Sequence, residues 1–181
     1  MHKLLKKKKN KIGILGGTFD PPHKGHLYIS RTTLRKLKLN KLIWAVAKRN
    51  PLKKKPHLSL KMRISLSKNI TNKDKKIFVK YYDDKVKSNN TFKLLNYIKK
   101  KNKKKKIFFI IGADNLVKFH KWNNWRKIPK FAKIVIFPRQ NYSSKLIKPI
   151  AIKKLSKKDF IYIKSRKINI SSSIIRKFWL N

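Results

Sequence analysis

The sequence lacks cysteine and glutamate altogether, and both absences restrict the chemistry available to it. Without cysteine there can be no disulfide framework, no thiol nucleophile and no cysteine-based metal site. All six acidic residues are aspartates, and they are not paired in the way that glycoside hydrolysis requires. Neither a nucleophile-elbow motif with a Ser-His-Asp order nor a Walker A sequence is present. Several common hydrolase and P-loop chemistries are therefore excluded.

Long hydrophobic runs are also missing. No apolar run approaches the roughly 18 residues that a membrane-spanning helix needs. Residues 1–11 contain only Leu4 and Leu5 as an apolar pair, which is too short for a signal peptide. With 181 residues and no Gly/Ser-rich linker, we expect one domain over residues 1–181, in which residues 1–10 form a basic extension. We expect a cytoplasmic protein with no membrane partner.

Negative charge is scarce, because 52 Lys and Arg residues face only six Asp and give a formal net charge of +46. Such a charge usually indicates a nucleic-acid or acidic membrane partner. Here the basic residues are spread along the whole chain, and only eight of them are arginine. Lys, Ile, Asn and Phe, which A/T-rich codons encode, are abundant. We interpret most of the charge as compositional drift on solvated surfaces, and expect no specific nucleic-acid partner, although the field should attract nucleotides and polyphosphates.

One stretch near the amino terminus combines the features of a ligand site. Residues 12–15 are apolar and predict a buried strand, residues 16–17 are both glycine, and residues 27–37 have the apolar spacing of a helix. Open α/β sheets place their ligands at the carboxyl ends of strands, where these glycines lie. His23 and His26 are three residues apart, so both imidazoles and the positive helix end can face one anion. The pair could also bind a metal, but no third ligand lies nearby in the sequence.

The remaining pattern alternates strands with helices. Further strands are predicted at residues 41–47, 77–79, 107–111, 134–137 and 160–163. Helices are predicted at residues 58–70, 91–100, 115–119 and 122–128, and from the serine cluster at 171–173 through Trp179. Residues 81–90 are predicted to be a polar connection, and residues 141–158 are hard to assign. The alternation predicts an α/β fold, with a Rossmann-like, mostly parallel sheet covered by helices on both faces.

The predicted loops at one edge of this sheet share the chemistry of a polyphosphate site. They collect the two histidines, the serine cluster with Arg176, Asp114 after a glycine, and the lysines at 53–55. This set suits nucleotidyl transfer at an α-phosphate, where a substrate phosphate is already a good nucleophile and needs no protein base. The enzyme then has to align two phosphates and stabilise the charge of leaving pyrophosphate.

The stretch around the two histidines resembles a known signature. Residues 17–21 (Gly-Thr-Phe-Asp-Pro) followed by residues 23–26 (His-Lys-Gly-His) resemble the motif of the HxGH nucleotidyltransferases. From about residue 12 to residue 178, the chain resembles the bacterial nicotinate-nucleotide adenylyltransferases. That resemblance implies transfer of AMP from ATP to nicotinate mononucleotide, giving nicotinate adenine dinucleotide and pyrophosphate in NAD biosynthesis. Magnesium would enter with ATP, bridging phosphate oxygens, with no protein cage. The oligomeric state is left open.

The ATP half of the site follows from the resemblance. His23 and His26 would be the catalytic residues that contact the ATP phosphates. The backbone of residues 17–19 would lie along the nucleotide, Asp114 would lie near the adenosine, and the tail box with Arg176 would hold the β- and γ-phosphates. The full ATP-binding set comprises Gly17, Thr18, Phe19, His23, His26, Gly112, Asp114, Ser171, Ser172, Ser173 and Arg176. Asp114 and the serines could instead be only helix caps.

The acceptor half is assigned in the same way to Asn50, Lys53, Thr91, Trp122 and Arg139. Trp122 would stack on the pyridine ring and Thr91 would recognise its carboxylate, although Trp122 could belong to the core and Thr91 could be a helix N-cap. Asn90 stands where the family usually has Tyr. A nicotinamide mononucleotide or phosphopantetheine acceptor is therefore an alternative. A basic nucleic-acid-binding module and an inactive relative are the others.

Overall fold

A six-stranded parallel sheet forms the centre of the computed structural model, which describes residues 10–138, 150–165 and 171–179. Its strands are β1 (Lys11–Gly17), β2 (Lys41–Val46), β3 (Ile77–Tyr81), β4 (Lys106–Gly112), β5 (Lys133–Phe137) and β6 (Phe160–Tyr162). They lie in the order β3-β2-β1-β4-β5-β6, and every pairing is parallel. The register places Ile14 of β1 beside Ile43 of β2 and Phe109 of β4. The predicted α/β fold with a parallel sheet is confirmed.

Helices connect the strands. They are α1 (Lys24–Lys36), α2 (Leu60–Thr71), α3 (Asp83–Val86), α4 (Thr91–Lys101), α5 (Ala113–Val117), α6 (Ile150–Lys154) and α7 (Ser172–Trp179). Short 3-10 helices occupy Phe119–Lys121, Trp125–Lys130 and Lys157–Asp159. Within the described ranges, no helix combines the length and hydropathy that crossing a bilayer requires. The cytoplasmic location remains a prediction from the sequence.

Hydrophobic side chains cover both faces of the sheet. Successive residues of a strand point to opposite faces, and here helices cover both faces, so both sets of side chains are buried. One face packs Ile14, Phe109 and Ile134 against α4 residues such as Leu95. The other packs Trp44, whose indole Nε1 donates to the Ser30 hydroxyl of α1 at 2.7 Å. The hydrophobic clusters on both faces are needed to bury the apolar strands, including β1 and β4.

Four local predictions differ from the structure. Helix α1 begins at Lys24 instead of residue 27, because His23 caps it. The polar connection at residues 81–90 contains α3, and part of the segment that was hard to assign is α6. The helix predicted at residues 122–128 is a 3-10 helix, Trp125–Lys130, that continues past Pro129. Trp122 is extended and Asn124 has a φ of 50°, so the backbone between them cannot be helical.

The strand order determines where a ligand can enter. The chain passes from β1 to β2 and β3 on one side of β1, and then crosses to β4 on the other side. Loops after β1 and β4 therefore leave in opposite directions and open a crevice at the carboxyl ends of the strands. Gly17 ends β1 and Gly112 ends β4. Both predicted glycine loops thus lie at this crevice.

Candidate active site

A cavity of about 890 Å³ lies at the carboxyl ends of β1, β2 and β4. Most of the site residues predicted from the sequence line it. They are Gly17, Thr18, Phe19, His26, Asn50, Lys53, Thr91, Asp114, Trp122, Ser171, Ser172, Ser173 and Arg176. His23 is buried beside His26 and Gly112 ends β4 next to Asp114, but neither forms part of the cavity wall. Arg139 lies outside the described residues.

The two histidines form a capping box at the start of α1. His23 is the N-cap, and its Nδ1 accepts a hydrogen bond from the Gly25 amide at 3.1 Å. Nδ1 of His26 accepts one in return from the His23 amide at 3.2 Å. A backbone N–H can only donate, so both Nδ1 atoms must be unprotonated. Each ring is then the neutral tautomer that carries its proton on Nε2.

This arrangement gives the start of α1 two directed N–H donors. The ring centroids of His23 and His26 lie 3.8 Å apart. The first turn of α1 contains no acidic residue that would offset the positive end of the helix dipole. An anion placed at the Nε2 atoms would receive hydrogen bonds and a favourable field together. The metal ligation considered from the sequence would instead require an unprotonated Nε2, because the cap already occupies Nδ1.

Phe19 supports this pair from an unusual backbone conformation. Its φ is 50°, in the left-handed region that side chains other than glycine rarely adopt. The ring is 2% exposed, stacks on Trp44 at 4.7 Å and contacts His26 at 4.9 Å. Burial of the aromatic ring offsets the backbone strain of about 1 kcal/mol or more. The side chain therefore holds His26, which leaves the backbone of residues 17–19 at the cavity.

The carboxyl-terminal serine box packs against the loop that follows β1. Ser172 donates its hydroxyl to the Pro21 carbonyl at 2.9 Å, and Arg176 Nη1 donates to the Asp20 carbonyl. Arg176 Nη2 also donates to the Ser173 hydroxyl at 3.2 Å. Two motifs about 150 residues apart in sequence therefore meet at one edge of the sheet, as their resemblance to the HxGH signature implied.

The helix-cap alternatives have different outcomes. Ser171 does cap α7, since its hydroxyl accepts from the Ile174 amide at 3.2 Å. Asp114 is not a cap, because α5 begins at Ala113 and its N-cap is Gly112. Thr91 is not a cap either, because the Asn90 side chain caps α4 by accepting from the Phe92 amide at 2.8 Å. These last two alternatives are wrong.

Four of the acceptor candidates line the cavity: Asn50, Lys53, Thr91 and Trp122. Trp122 packs its ring against Phe109 at 6.0 Å and Phe119 at 5.1 Å while lining the cavity. It is therefore both a core contact and an available aromatic surface. Asn50 accepts from the Leu52 amide at 2.9 Å, which makes a tight turn ahead of Lys53. The roles of these side chains toward a ligand remain predictions.

Sequence reasoning missed two buried charged residues, which are Asp20 in the cavity wall and Arg63 behind it, and they are 4% and 2% exposed. Burial lowers the pKa of the Arg63 guanidinium, and the carboxylates of Asp20 and Asp83 oppose that shift. The sequence did contain one indication that Arg63 has a specific role. Arg63 is one of only eight arginines among 52 basic residues, and the planar fork of arginine cannot be replaced by lysine where several acceptors must be bound.

Comparisons with known proteins agree with this geometry. A family model described as cytidylyltransferase-like matches residues 14–178. A Pelagibacter ubique (strain HTCC1062) protein named "Probable nicotinate-nucleotide adenylyltransferase" is 48% identical over 173 residues, covering 96% of each chain. A protein of the same name from Clostridium tetani (strain Massachusetts / E88) is 33% identical and covers 92% of this chain and 86% of that one.

A solved structure has the same fold. Plasmodium falciparum nicotinic acid mononucleotide adenylyltransferase complexed with NaAD matches with a TM-score of 0.76 at 22% identity. The match covers 93% of this chain and 83% of that chain. With a family model spanning residues 14–178 and a relative that is 48% identical over 96% of each chain, the protein belongs to the nicotinate-nucleotide adenylyltransferase family of nucleotidyltransferases.

Proposed function

We infer that this protein transfers the adenylyl group of ATP to nicotinate mononucleotide, releasing pyrophosphate and forming nicotinate adenine dinucleotide, a step of NAD biosynthesis. One observation carries this inference beyond family membership. His26 of the histidine capping box after β1 and the serine–arginine box of α7 line one cavity, which Trp122 lines as well. Phosphate-binding groups and an aromatic surface thus occur within one space of about 890 Å³, large enough for two nucleotides side by side.

The chemistry needs alignment more than acid–base catalysis. A phosphate oxygen of nicotinate mononucleotide attacks the α-phosphorus of ATP, and the bond from that phosphorus to the bridging oxygen of the β-phosphate breaks. The electron pair leaves with pyrophosphate. The Nε2–H groups of His23 and His26 would donate to phosphate oxygens as charge develops, and each such donor contributes roughly 3–4 kcal/mol in comparable sites. Neither ring has to gain or lose a proton.

Magnesium would enter with the substrate as MgATP and would offset negative charge on the phosphates. The donor set of the site fits this role better than a resident ion. The carboxylate of Asp20 accepts two backbone amides and so is already occupied. The serine–arginine box supplies hydroxyls and a guanidinium, which suit the β- and γ-phosphates.

The proposal of a pyridine acceptor is based on three residues that line the cavity, which are Trp122, Thr91 and Lys53. A half-buried indole that lines the cavity suits an aromatic ring, and Thr91 at the first turn of α4 offers a hydroxyl and backbone amides to a carboxylate. A pantetheine chain has no ring for Trp122 to stack on. Nicotinate is favoured over nicotinamide because the helix start and nearby lysines favour a negative charge.

The direct test is pyrophosphate release from MgATP in the presence of one acceptor at a time. We expect release with nicotinate mononucleotide, accompanied by the dinucleotide, and at least about tenfold lower kcat/KM with nicotinamide mononucleotide, since a missing charge pairing costs more than 1.4 kcal/mol. Phosphopantetheine should give no product. Absence of product with both pyridine mononucleotides would contradict the proposal.

A further inference from the structure

Arg63 is buried where three backbone segments meet. Its guanidinium donates to four carbonyl oxygens: Nη1 to Thr18 at 2.6 Å and to Ala47 at 2.8 Å, Nη2 to Lys48 at 3.0 Å, and Nε to Leu58 at 3.1 Å. Burial of a charged group is costly unless its hydrogen bonds are satisfied. Here the cost is offset by bonds that join residues distant in sequence, so the guanidinium connects elements that are otherwise separate.

Asp20 makes the complementary set of bonds with its carboxylate. One oxygen accepts from the His57 amide and the other from the Leu58 amide, both at 2.9 Å. The same carboxylate lies 3.6 Å from Nη1 of Arg176 in the tail box. Asp20 therefore contacts the phosphate side of the cavity and the far end of the loop that follows β2.

Together these two residues tie down both ends of one segment. Residues 49–56, which we name the acceptor loop, line the cavity and contain Asn50 and Lys53. The loop is preceded by the carbonyls that Arg63 binds and followed by the amides that Asp20 binds. Both ends of the loop are thereby connected to residues 18–20 after β1. Arg63 also donates to the Thr18 carbonyl, and Asp20 itself belongs to this stretch.

We propose that Arg63 and Asp20 are positioning residues that hold the acceptor loop in a fixed place relative to the histidine motif. The proposal rests on the proposed function, because the acceptor phosphate has to lie in line with the α-phosphate of ATP. Errors of about 1 Å in such alignment cost up to about a hundredfold in rate. Four carbonyls arranged around one planar group require the fork of arginine, and a single ammonium cannot reach all of them.

The first test is kinetic and compares Arg63→Lys with Arg31→Lys. Arg31 forms the exposed ion pair with Asp74, so its variant is a matched control outside the cavity. We expect Arg63→Lys to lower kcat/KM for nicotinate mononucleotide at least about tenfold, because the acceptor phosphate is misaligned, while the dissociation constant of MgATP changes less than about twofold. Asp20→Asn should act in the same direction, with Asp74→Asn as its control. An unchanged kcat/KM for the acceptor in both Arg63→Lys and Asp20→Asn, or an equal fall in the controls, would overturn the proposal.

The second test needs no substrate. Lys53 and Lys54 are exposed in the acceptor loop, and Lys103 is exposed in the turn before β4. We expect trypsin to cleave full-length Arg63→Lys and Asp20→Asn faster than wild type after Lys53 and Lys54, with an unchanged rate after Lys103. Equal acceleration at both places would mean general destabilisation and would overturn the proposal.

The two failures can be told apart. If the wild-type protein forms no dinucleotide, the proposed function fails, and proteolysis still decides whether the acceptor loop is held by Arg63 and Asp20. If the wild type is active but neither Arg63→Lys nor Asp20→Asn differs from it in kcat/KM for the acceptor or in cleavage after Lys53 and Lys54, the positioning role alone fails. If Arg63→Lys does not fold, Asp20→Asn supports both measurements, because it removes one charge while keeping an acceptor oxygen.

Discussion

At the scale of single residues, the capping box ties the fold of α1 to the chemistry of its histidines. Nδ1 of His23 caps the helix, so a phosphate could be bound only through Nε2, which is buried in this structure. One side chain thus has two separable tasks at two nitrogen atoms. Asparagine and glutamine can each reproduce one of them, since the Asn amide reaches about as far as Nδ1 and the Gln amide about as far as Nε2.

We expect His23→Asn to keep the helix cap and lose the donor. Its free energy of unfolding should stay within about 1 kcal/mol of wild type, because Asn is a favourable N-cap. Its kcat should fall by about 10²–10³, the usual loss for one oxyanion donor. His23→Gln should show the opposite pattern, with lower stability and more residual activity. Thermal unfolding and steady-state kinetics measure both, and an Asn variant that turns over like wild type would refute the donor role of Nε2.

At the scale of elements, the start of α4 separates capping from ligand contact in two adjacent residues. Asn90 caps the helix with its side chain, and Thr91 begins it and lines the cavity. The sequence departs from its family at Asn90, yet the cap explains what that residue does in this chain. In the proposed function, recognition of the pyridine carboxylate would depend on Thr91 and on the amides that the cap holds in place.

We expect Asn90→Ala and Thr91→Val to fail in different measurements. Loss of the Asn90 cap should reduce the free energy of unfolding by about 1 kcal/mol. Loss of the Thr91 hydroxyl should leave unfolding nearly unchanged and raise the KM for nicotinate mononucleotide at least about tenfold, since one hydrogen bond to a charged group contributes about 1.5–3 kcal/mol. Urea unfolding and acceptor titrations distinguish the two. A Thr91→Val enzyme with the wild-type acceptor KM would exclude the hydroxyl from recognition.

At the scale of the whole molecule, most of the few carboxylates are engaged in holding backbone or neighbouring side chains. Asp83 accepts from the Lys48 amide at 2.8 Å, and Asp159 accepts from the Ser156 amide at 3.2 Å. Asp74 binds Arg31, and Asp84 accepts a hydrogen bond from the Tyr81 hydroxyl. Burial, together with this bond, raises the pKa of Tyr81 to about 12. The net charge of +46 therefore comes mainly from lysines with few opposing charges, and these lysines repel one another.

We expect added potassium chloride to affect stability and substrate binding in opposite directions. Raising ionic strength from 0.1 M to 1 M shortens the Debye length from about 10 Å to about 3 Å and screens the repulsion among lysines. The Tm should therefore rise, while the KM for MgATP should increase because attraction of the anion is screened as well. Sucrose at equal osmolality serves as the uncharged control. A Tm that falls with salt would contradict this account.

Local sequence patterns by themselves determined the strands of this protein and the position of its candidate nucleotide site. Apolar runs predicted the six strands to within a few residues, and the motifs at residues 17–26 and 171–176 indicated where a nucleotide would bind, because side-chain periodicity and motif spacing are local properties. Only the tertiary structure decided the Nδ1 contacts of the histidines and the break at Asn124. It also decided the positions of Arg63 and Asp20, whose bonds span 45 and 38 residues. Such contacts depend on which segments the sheet brings together, and no local pattern encodes that.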